Sequence, residues 1–297
     1  MARLPDTSSH REQTMSAHIA FLGTGRLGAA FVEAALGRGD SVAVWNRTAD
    51  KAKALEAFGA RVAATPADAV KGAERVHLVL KDDASVESVV AECRAALESG
   101  AILVDHTTTQ PALTAERANR LNAEGVRYIH CPVFIGPAMA RKGLGIILAS
   151  GPRALFDAVH PALALQAARV EYYGERPDAA AVFKLCGNAY LVGTGAVIAD
   201  VLTIATSAGI GAADIMTLFE FFNPATIVAG RGKSMAAGDF TPSFELSMAR
   251  KDVRLMIETA GARPLAALPA IAARMDALID AGHGGDDFGV LAIEVGR

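Results

Sequence analysis

His18-Ile-Ala-Phe-Leu22 runs directly into Gly23-Thr-Gly25-Arg-Leu-Gly28, and Ser41-Val-Ala-Val-Trp45 runs directly into Asn46-Arg47-Thr48. The first stretch reads as an apolar strand, a turn with three glycines, and a helix with apolar positions at Leu27, Ala30, Phe31, Ala34 and Ala35. Each glycine has its own physical reason. Gly23 lets the chain turn sharply off the strand, Gly25 lets backbone amides approach a pyrophosphate, and Gly28 lets the helix lie close on the sheet. Phosphates at such a turn meet a helix N-terminus, whose free N–H groups and dipole favour anions. A glycine-rich turn alone is weak evidence. Bracketed by a strand and a helix, and followed by a second strand, it marks a dinucleotide site. Thr24, Arg26 and Leu27 complete that loop.

The end of the second strand discriminates between cofactors. An Asp or Glu there would accept hydrogen bonds from an adenine-ribose 2′-hydroxyl and repel a 2′-phosphate. The chain instead offers Asn46, Arg47 and Thr48, followed by Lys51 and Lys53. A guanidinium, a hydroxyl and nearby ammonium groups suit a phosphate ester. Thr48 is also placed to cap the helix that starts near Ala49, and the two roles are compatible. NADP(H) is therefore expected over NAD.

The 297 residues suffice for two domains with sizeable cores. Hydrophobic residues make up 52% and aromatics only 6%, so Ala, Val, Leu and Ile must build the interior, as suits parallel strands and close-packed helices. The net charge of −3 and the lack of a basic run give no sign of a nucleic-acid or membrane surface. Cys93, Cys131 and Cys186 lie far apart without a CxxC, which fits a reducing cytoplasm better than a disulfide framework. His130 and Cys131 are neighbours in a strand and point to opposite faces, so no metal site is expected. The low-charge stretch from Leu185 to Ile198 is interrupted by Gly187, Asn188, Gly193, Thr194 and Gly195, so no membrane span is expected. The polar N-terminus lacks the apolar core of a signal peptide, and residues 1–15 read as a loose extension.

Strand patterns near 18–22, 41–45, 61–63, 76–80, 102–105, 128–131, 145–149 and 169–173 alternate with helical ones. The helical patterns include Lys51–Phe58, Val86–Leu97, Leu113–Asn122 and Leu155–Leu165. The repeated unit predicts an α/β fold: a doubly wound parallel (Rossmann) sheet domain over 16–177. From Asp178 the pattern changes to a long helix reaching about Ala208, then Asp214–Phe222, Phe244–Thr259 and Pro264–Ala281, an all-α domain over 178–297. A helix apolar on every side must be buried. The rest of that segment is too short to cover it, so a homodimer or homotetramer is expected.

Lys184 is the one cation in the apolar run Ala179-Ala-Ala-Val-Phe-Lys184-Leu-Cys-Gly-Asn188, and Asn188 shares its face. An ammonium group facing an apolar interior is costly unless it has partners or faces a cleft. Desolvation lowers its pKa, the change a lysine needs to act as a general acid near neutrality. From these residues alone, a lysine snorkelling to solvent is an equal alternative.

Together these segments resemble the β-hydroxyacid dehydrogenases, a family that includes 3-hydroxyisobutyrate dehydrogenase and glyoxylate/succinic semialdehyde reductases. Gly23 to Gly28 is similar to the family's cofactor loop, and Val104-Asp105-His-Thr107-Thr108-Thr-Gln-Pro111 to its Asp-x-Ser-Thr-x-x-Pro segment beside nicotinamide and substrate. Lys184 with Asn188 is similar to its catalytic Lys-x-x-x-Asn pair. Phe244-Glu-Leu-Ser-Met-Ala-Arg-Lys251-Asp252 is similar to its late, cleft-closing helix. The resemblance implies cofactor contacts at Leu80, Thr108 and Lys251, and substrate contacts at Thr108, Phe134, Ile135, Gly136, Phe244 and Asp252. It implies a small carbonyl or hydroxy compound as substrate.

One departure bears on that substrate. The family usually reads Pro-Val-Ser-Gly-Gly where this chain has Pro132-Val133-Phe134-Ile135-Gly136. Phe134 lacks the hydroxyl and Ile135 adds bulk, so a more apolar carbonyl compound is expected to fit better than a small acid. A second departure, Gly174-Glu-Arg-Pro177-Asp-Ala179, replaces further glycines before the catalytic helix. Two other functions stand beside the reductase. Imine reductases share the architecture but usually lack the lysine. A catalytically silent NADP-binding scaffold, as in a nucleosome-associated relative, tends to lose the lysine and carry partner-binding modules, whereas here only a short tail is added.

Overall fold

The computed structural model describes residues 18–294, so the expected extension over 1–15 lies outside the described residues. The first element is β1 (His18–Leu22), followed by α1 (Arg26–Gly37), β2 (Ser41–Trp45), α2 (Ala49–Lys53) and β3 (Arg61–Val62). Then come α3 (Pro66–Val70), β4 (Arg75–Leu78), α4 (Asp83–Cys93), β5 (Ile102–Asp105), α5 (Pro111–Ala123) and β6 (Arg127–His130). These six strands form one parallel sheet in the order β3-β2-β1-β4-β5-β6. The order reverses beside β1, so the loops after β1 and β4 open on the crevice where such sheets bind ligands. One core lies on each side of the sheet. Phe21, Phe31, Val44 and Val104 belong to the first, and Leu22, Leu78, Leu103 and Tyr128 to the second. Each such fully buried apolar side chain contributes roughly 1.5–3 kcal/mol.

The later strands differ from the sequence expectation. β7 (Val133–Phe134), β8 (Ile146–Ala149) and β9 (Arg169–Tyr172) form a separate three-stranded sheet, with β7 antiparallel to β8 and β8 parallel to β9. The expected strands at 145–149 and 169–173 therefore do not extend the main sheet. The reason lies in the turn after β6. Its chain continues through Cys131-Pro132 into β7, and proline has no N–H to donate to a further ladder. Helices α6 (Pro137–Ala140) and α7 (Arg153–Ala164) complete this part. Two compact units divide the chain between Gly187 and Asn188. That division falls inside α8 (Ala179–Ser207) rather than at the change of sequence pattern near Asp178.

The second unit holds the remainder of α8, with α9 (Ala212–Met216), α10 (Ala225–Ala229), α11 (Arg231–Ala237), α12 (Leu246–Ala260) and α13 (Leu268–Leu278). Leu246, Val253, Met275 and Val290 sit in its core. Buried Asp200, on α8, accepts backbone N–H bonds from Ala266 (2.5 Å), Ala267 (2.9 Å) and Leu268 (2.9 Å), which fixes the start of α13. This is why α13 begins at Leu268 rather than at Pro264.

One expectation about α8 is corrected and another is met. Its glycines do not interrupt it, and its 29 residues are long and apolar enough to cross a membrane by length and composition. As its length implied, the chain itself does not cover the helix: Tyr190, Leu191 and Val192 are 55%, 60% and 73% exposed. A single chain has too little apolar surface to cover a helix that is apolar on every side.

Candidate functional site

The glycine loop fits its dinucleotide role by geometry. Gly23 has φ +104°, and a Cβ there would stand 2.3 Å from the Val79 carbonyl oxygen. A Cβ on Gly28 would stand 2.0 Å from the Gly23 carbonyl oxygen, so α1 could not lie where it does. Gly25 is the N-cap of α1 and makes no side-chain cap bond, which leaves the first-turn N–H groups directed at the crevice. Thr24 is buried with its hydroxyl oxygen unpartnered among the described residues. A cradle that a Cβ would fill and an orphaned hydroxyl at a helix N-terminus suit a bound pyrophosphate.

Two adjoining cavities share Gly25, Val79, Leu80 and Lys81. The first, about 440 Å³, is lined by Gly23, Asn46, Arg47, Thr48 and Lys51. Asn46 does not extend freely into it. Its Oδ1 accepts the Thr24 N–H (3.0 Å) and its Nδ2 donates to the Thr48 carbonyl (2.9 Å), so the amide ties the glycine loop to the end of β2. Thr48 is the N-cap of α2 by position, but its side chain makes no capping bond. The expected cap is thus absent, and the hydroxyl stands in the cavity wall beside Arg47.

The second cavity, about 370 Å³, is lined by Arg26, Leu27, Gly28, His106, Thr108, Val133, Ile135 and Lys184. Its Thr107–Thr108 wall is fixed from below. Thr107 N–H donates to Asp105 Oδ1 (2.9 Å), Leu80 N–H donates to Thr107 Oγ1 (3.1 Å), and Tyr128 OH donates to Asp105 Oδ2 (2.6 Å). Arg117, fully buried, pairs with Asp83 (2.6 Å) and Glu87 (2.8 Å), tying α5 to α4 behind that wall. Such buried charge pairs hold their places because losing one partner strands the other.

Lys184 reaches the cavity from the first turns of α8. Ser150 fixes the start of that helix, accepting the Ala180 N–H (3.0 Å) and donating to the Pro177 carbonyl (3.0 Å). Lys184 is 8% exposed, and burial lowers its pKa below the usual lysine range. Asn188 follows it by one turn of the same helix, across the division between the units.

Of Phe134, Ile135 and Gly136, Ile135 lines the cavity. Gly136 is the N-cap of α6, and the Phe134 ring lies against Gly187 on α8. Phe244, Lys251 and Asp252 belong to the second unit. There the Phe244 N–H donates to Asp287 Oδ2 (3.1 Å), its ring meets Phe288 edge-on at 5.7 Å, and Lys251 pairs with Asp252 (2.6 Å).

Sequence reasoning passed over His106. Its Nδ1 lies 2.7 Å from the Cys131 carbonyl, which only an N–H can satisfy, so its Nε2 accepts from His77 Nδ1 at 3.0 Å. The rings of Phe21, His77 and His106 stack in series at 4.6 and 5.2 Å, and Phe31 meets His106 at a tilt at 5.5 Å. Burial drives both imidazoles toward the neutral form, His106 down to about 4 and His77 well below its ordinary value. A signal was available. His77 pairs with Val104, two residues before His106, so both imidazoles point to one face of neighbouring strands.

The chain is similar to known proteins. The family model for the NAD binding domain of 6-phosphogluconate dehydrogenase matches residues 18–174. Glyoxylate/succinic semialdehyde reductase 1 of Arabidopsis thaliana is 30% identical over 259 residues, covering 84% of this chain and 89% of that protein. The cytokine-like nuclear factor N-PAC of Homo sapiens is 28% identical over 246 residues, covering 80% of this chain but only 44% of its own length. Among solved structures, the Streptomyces aurantiacus imine reductase superposes with a TM-score of 0.83 at 27% identity, over 94% of this chain and 99% of that one. With its six-stranded parallel sheet, glycine-loop crevice and a match spanning more than half its length, the chain belongs to the β-hydroxyacid dehydrogenase family of NAD(P)-dependent dehydrogenases and reductases.

Proposed function

We propose that the chain is an NADPH-dependent reductase of a small carbonyl compound, run in reverse as a dehydrogenase of the alcohol, in the manner of 3-hydroxyisobutyrate dehydrogenase. The observation that carries this reading is Lys184 in the wall of the cavity that begins at the glycine loop and ends at Thr108 and Ile135. A bound nicotinamide supplies the hydride in the reductive direction. Lys184 Nζ gives its proton to the oxygen that becomes the hydroxyl, while Thr108 and Asn188 orient the substrate or the ammonium group. Ile135 makes the cavity wall apolar where relatives place a hydroxyl and a glycine, favouring an apolar ketone or aldehyde over a small acid. Phe244 and Asp252 stand in the proposed substrate set, and Lys251 with Leu80 in the cofactor set, by their match to the family motifs. The three cysteines are all free thiols, in keeping with a reducing, cytoplasmic setting.

The test is NADPH oxidation across small aldehyde acids, apolar ketones, and the same ketones with an added amine. Turnover of the ketones alone supports the reading. Turnover only when an imine is present would replace it with imine reduction, the reading favoured by the likeness to the Streptomyces aurantiacus enzyme. No turnover of any set would leave the silent scaffold.

Arg47, Thr48 and Lys51 side by side in the first cavity support NADPH over NADH. A charged hydrogen bond contributes roughly 1.5–3 kcal/mol. Arg47→Ala is therefore expected to weaken NADPH binding about tenfold to a hundredfold and leave NADH affinity nearly unchanged, as read by fluorescence titration. An unchanged ratio would place phosphate recognition elsewhere. The exposed apolar face of α8 supports a second copy of the chain as its cover, in a homodimer or homotetramer. Light scattering is expected to return at least twice the 30.8 kDa of one chain, and a monomer would refute this.

A further inference from the structure

Phe134 and Lys184 meet across elements that the sequence keeps far apart. In the two-residue strand β7, side chains alternate between faces, so Val133 turns to the cavity and Phe134 turns away from it toward α8. On α8, Lys184 and Gly187 are three residues apart and lie on one side of the helix. The Phe134 ring occupies the volume a side chain at 187 would need. A Cβ there would stand 2.3 Å from Cζ and 2.9 Å from Cε1. With the ring seated against bare backbone, its face comes under the lysine, and Lys184 Nζ lies 4.0 Å from the ring centroid. This is the geometry in which a ring quadrupole attracts a cation, and the attraction grows where water is excluded.

We propose that Phe134 is a positioning residue for Lys184, its ring wedged on Gly187 to hold the ammonium group at the wall of the substrate cavity. The inference rests on the reading of Lys184 as proton donor and deepens it. The position that in relatives carries a serine for the substrate here carries a support for the lysine. A π face attracts the ammonium charge without accepting a conventional hydrogen bond. Arg26 of α1, Lys81 after β4 and neutral His106 after β5 line the same cavity and set the surrounding charge. Burial favours the neutral amine, and the ring acts in the opposite sense.

The test reads Lys184 directly, by NMR titration of lysine side chains labelled with ¹³C and ¹⁵N, in the protein without substrate or cofactor. Phe134→Leu keeps apolar bulk but removes the π face, and is expected to lower the Lys184 pKa by about half to one and a half pH units. Phe134→Tyr keeps the face and is expected to restore the wild-type value. Gly187→Ala approaches the same contact from the helix and is expected to lower the pKa with Phe134 still present, so the proposal stays testable if Phe134→Leu does not fold. A Lys184 titration unmoved in folded Phe134→Leu or Gly187→Ala would overturn it. This readout needs no turnover, so it stands or falls separately from the proton-donor role, which the activity of a Lys184 variant decides.

Discussion

Lys184→Ala is expected to lower kcat/KM for carbonyl reduction roughly a hundredfold to ten-thousandfold, the range that general-acid catalysis supplies. NADPH affinity is expected to stay near wild type, because Arg47, Thr48 and Lys51, the residues proposed to bind the phosphate, lie in the neighbouring cavity. Lys184→Arg is the sharper variant. It keeps a cation of similar reach, yet a guanidinium does not release its proton in the accessible pH range, so the loss should be nearly as large. The pH profile follows with a definite sign. Reduction requires the ammonium form, so kcat/KM falls as pH rises through the Lys184 pKa. Burial lowers that pKa, so the falling limb comes at a lower pH than an exposed lysine would give. Steady-state NADPH oxidation from pH 6 to 10 checks this. A Lys184→Ala enzyme within a few-fold of wild type would remove the proposed mechanism.

The second large effect is on acid stability. His77 and His106 are buried as neutral rings, and His106 is pushed down to about 4 from the ordinary 6.5 by desolvation. Below pH 6.5 the unfolded chain takes up protons that the folded chain refuses. The stability is therefore full above about pH 6.5 and declines as pH falls toward 4, at about 1.4 kcal/mol per pH unit for each ring. For His106 alone the decline sums to about 3 kcal/mol by pH 4. Urea unfolding at pH 7.5, 6.5, 5.5 and 5, at fixed protein concentration, measures it. The double variant His77→Phe/His106→Phe keeps the ring stack but removes both titrations, so its stability should hardly change between pH 6.5 and 5. Equal slopes in the two proteins would assign the proton uptake to other groups. The neutral His106 lines the same cavity as Lys184 without adding charge there.

The legible parts of the site are those whose physics is local. Gly23 and Gly28 announce a turn and a close helix approach that any other residue would obstruct, and the structure shows the obstruction at 2.3 and 2.0 Å. Arg47 in place of an acid at the end of β2 is likewise a one-position reading. Lys184 stood out because a lone ammonium in an apolar helix needs a reason. The illegible parts depend on which distant residues meet. The His77–His106 bond joins neighbouring strands through their register, and the Phe134–Lys184 contact needs β7 to turn one particular face to α8. Asn46 lines the first cavity, and only the tertiary structure shows that its amide also ties the glycine loop to the end of β2.

By itself, then, the sequence determined the parallel sheet, the dinucleotide crevice and the lysine, since strand periodicity, turn chemistry and charge in an apolar run act within a few residues. Only the tertiary structure decided that β7, β8 and β9 form their own sheet, and that Phe134 turns from the cavity onto Gly187. Those outcomes follow from strand order and register, and neither is a property of any short stretch of residues.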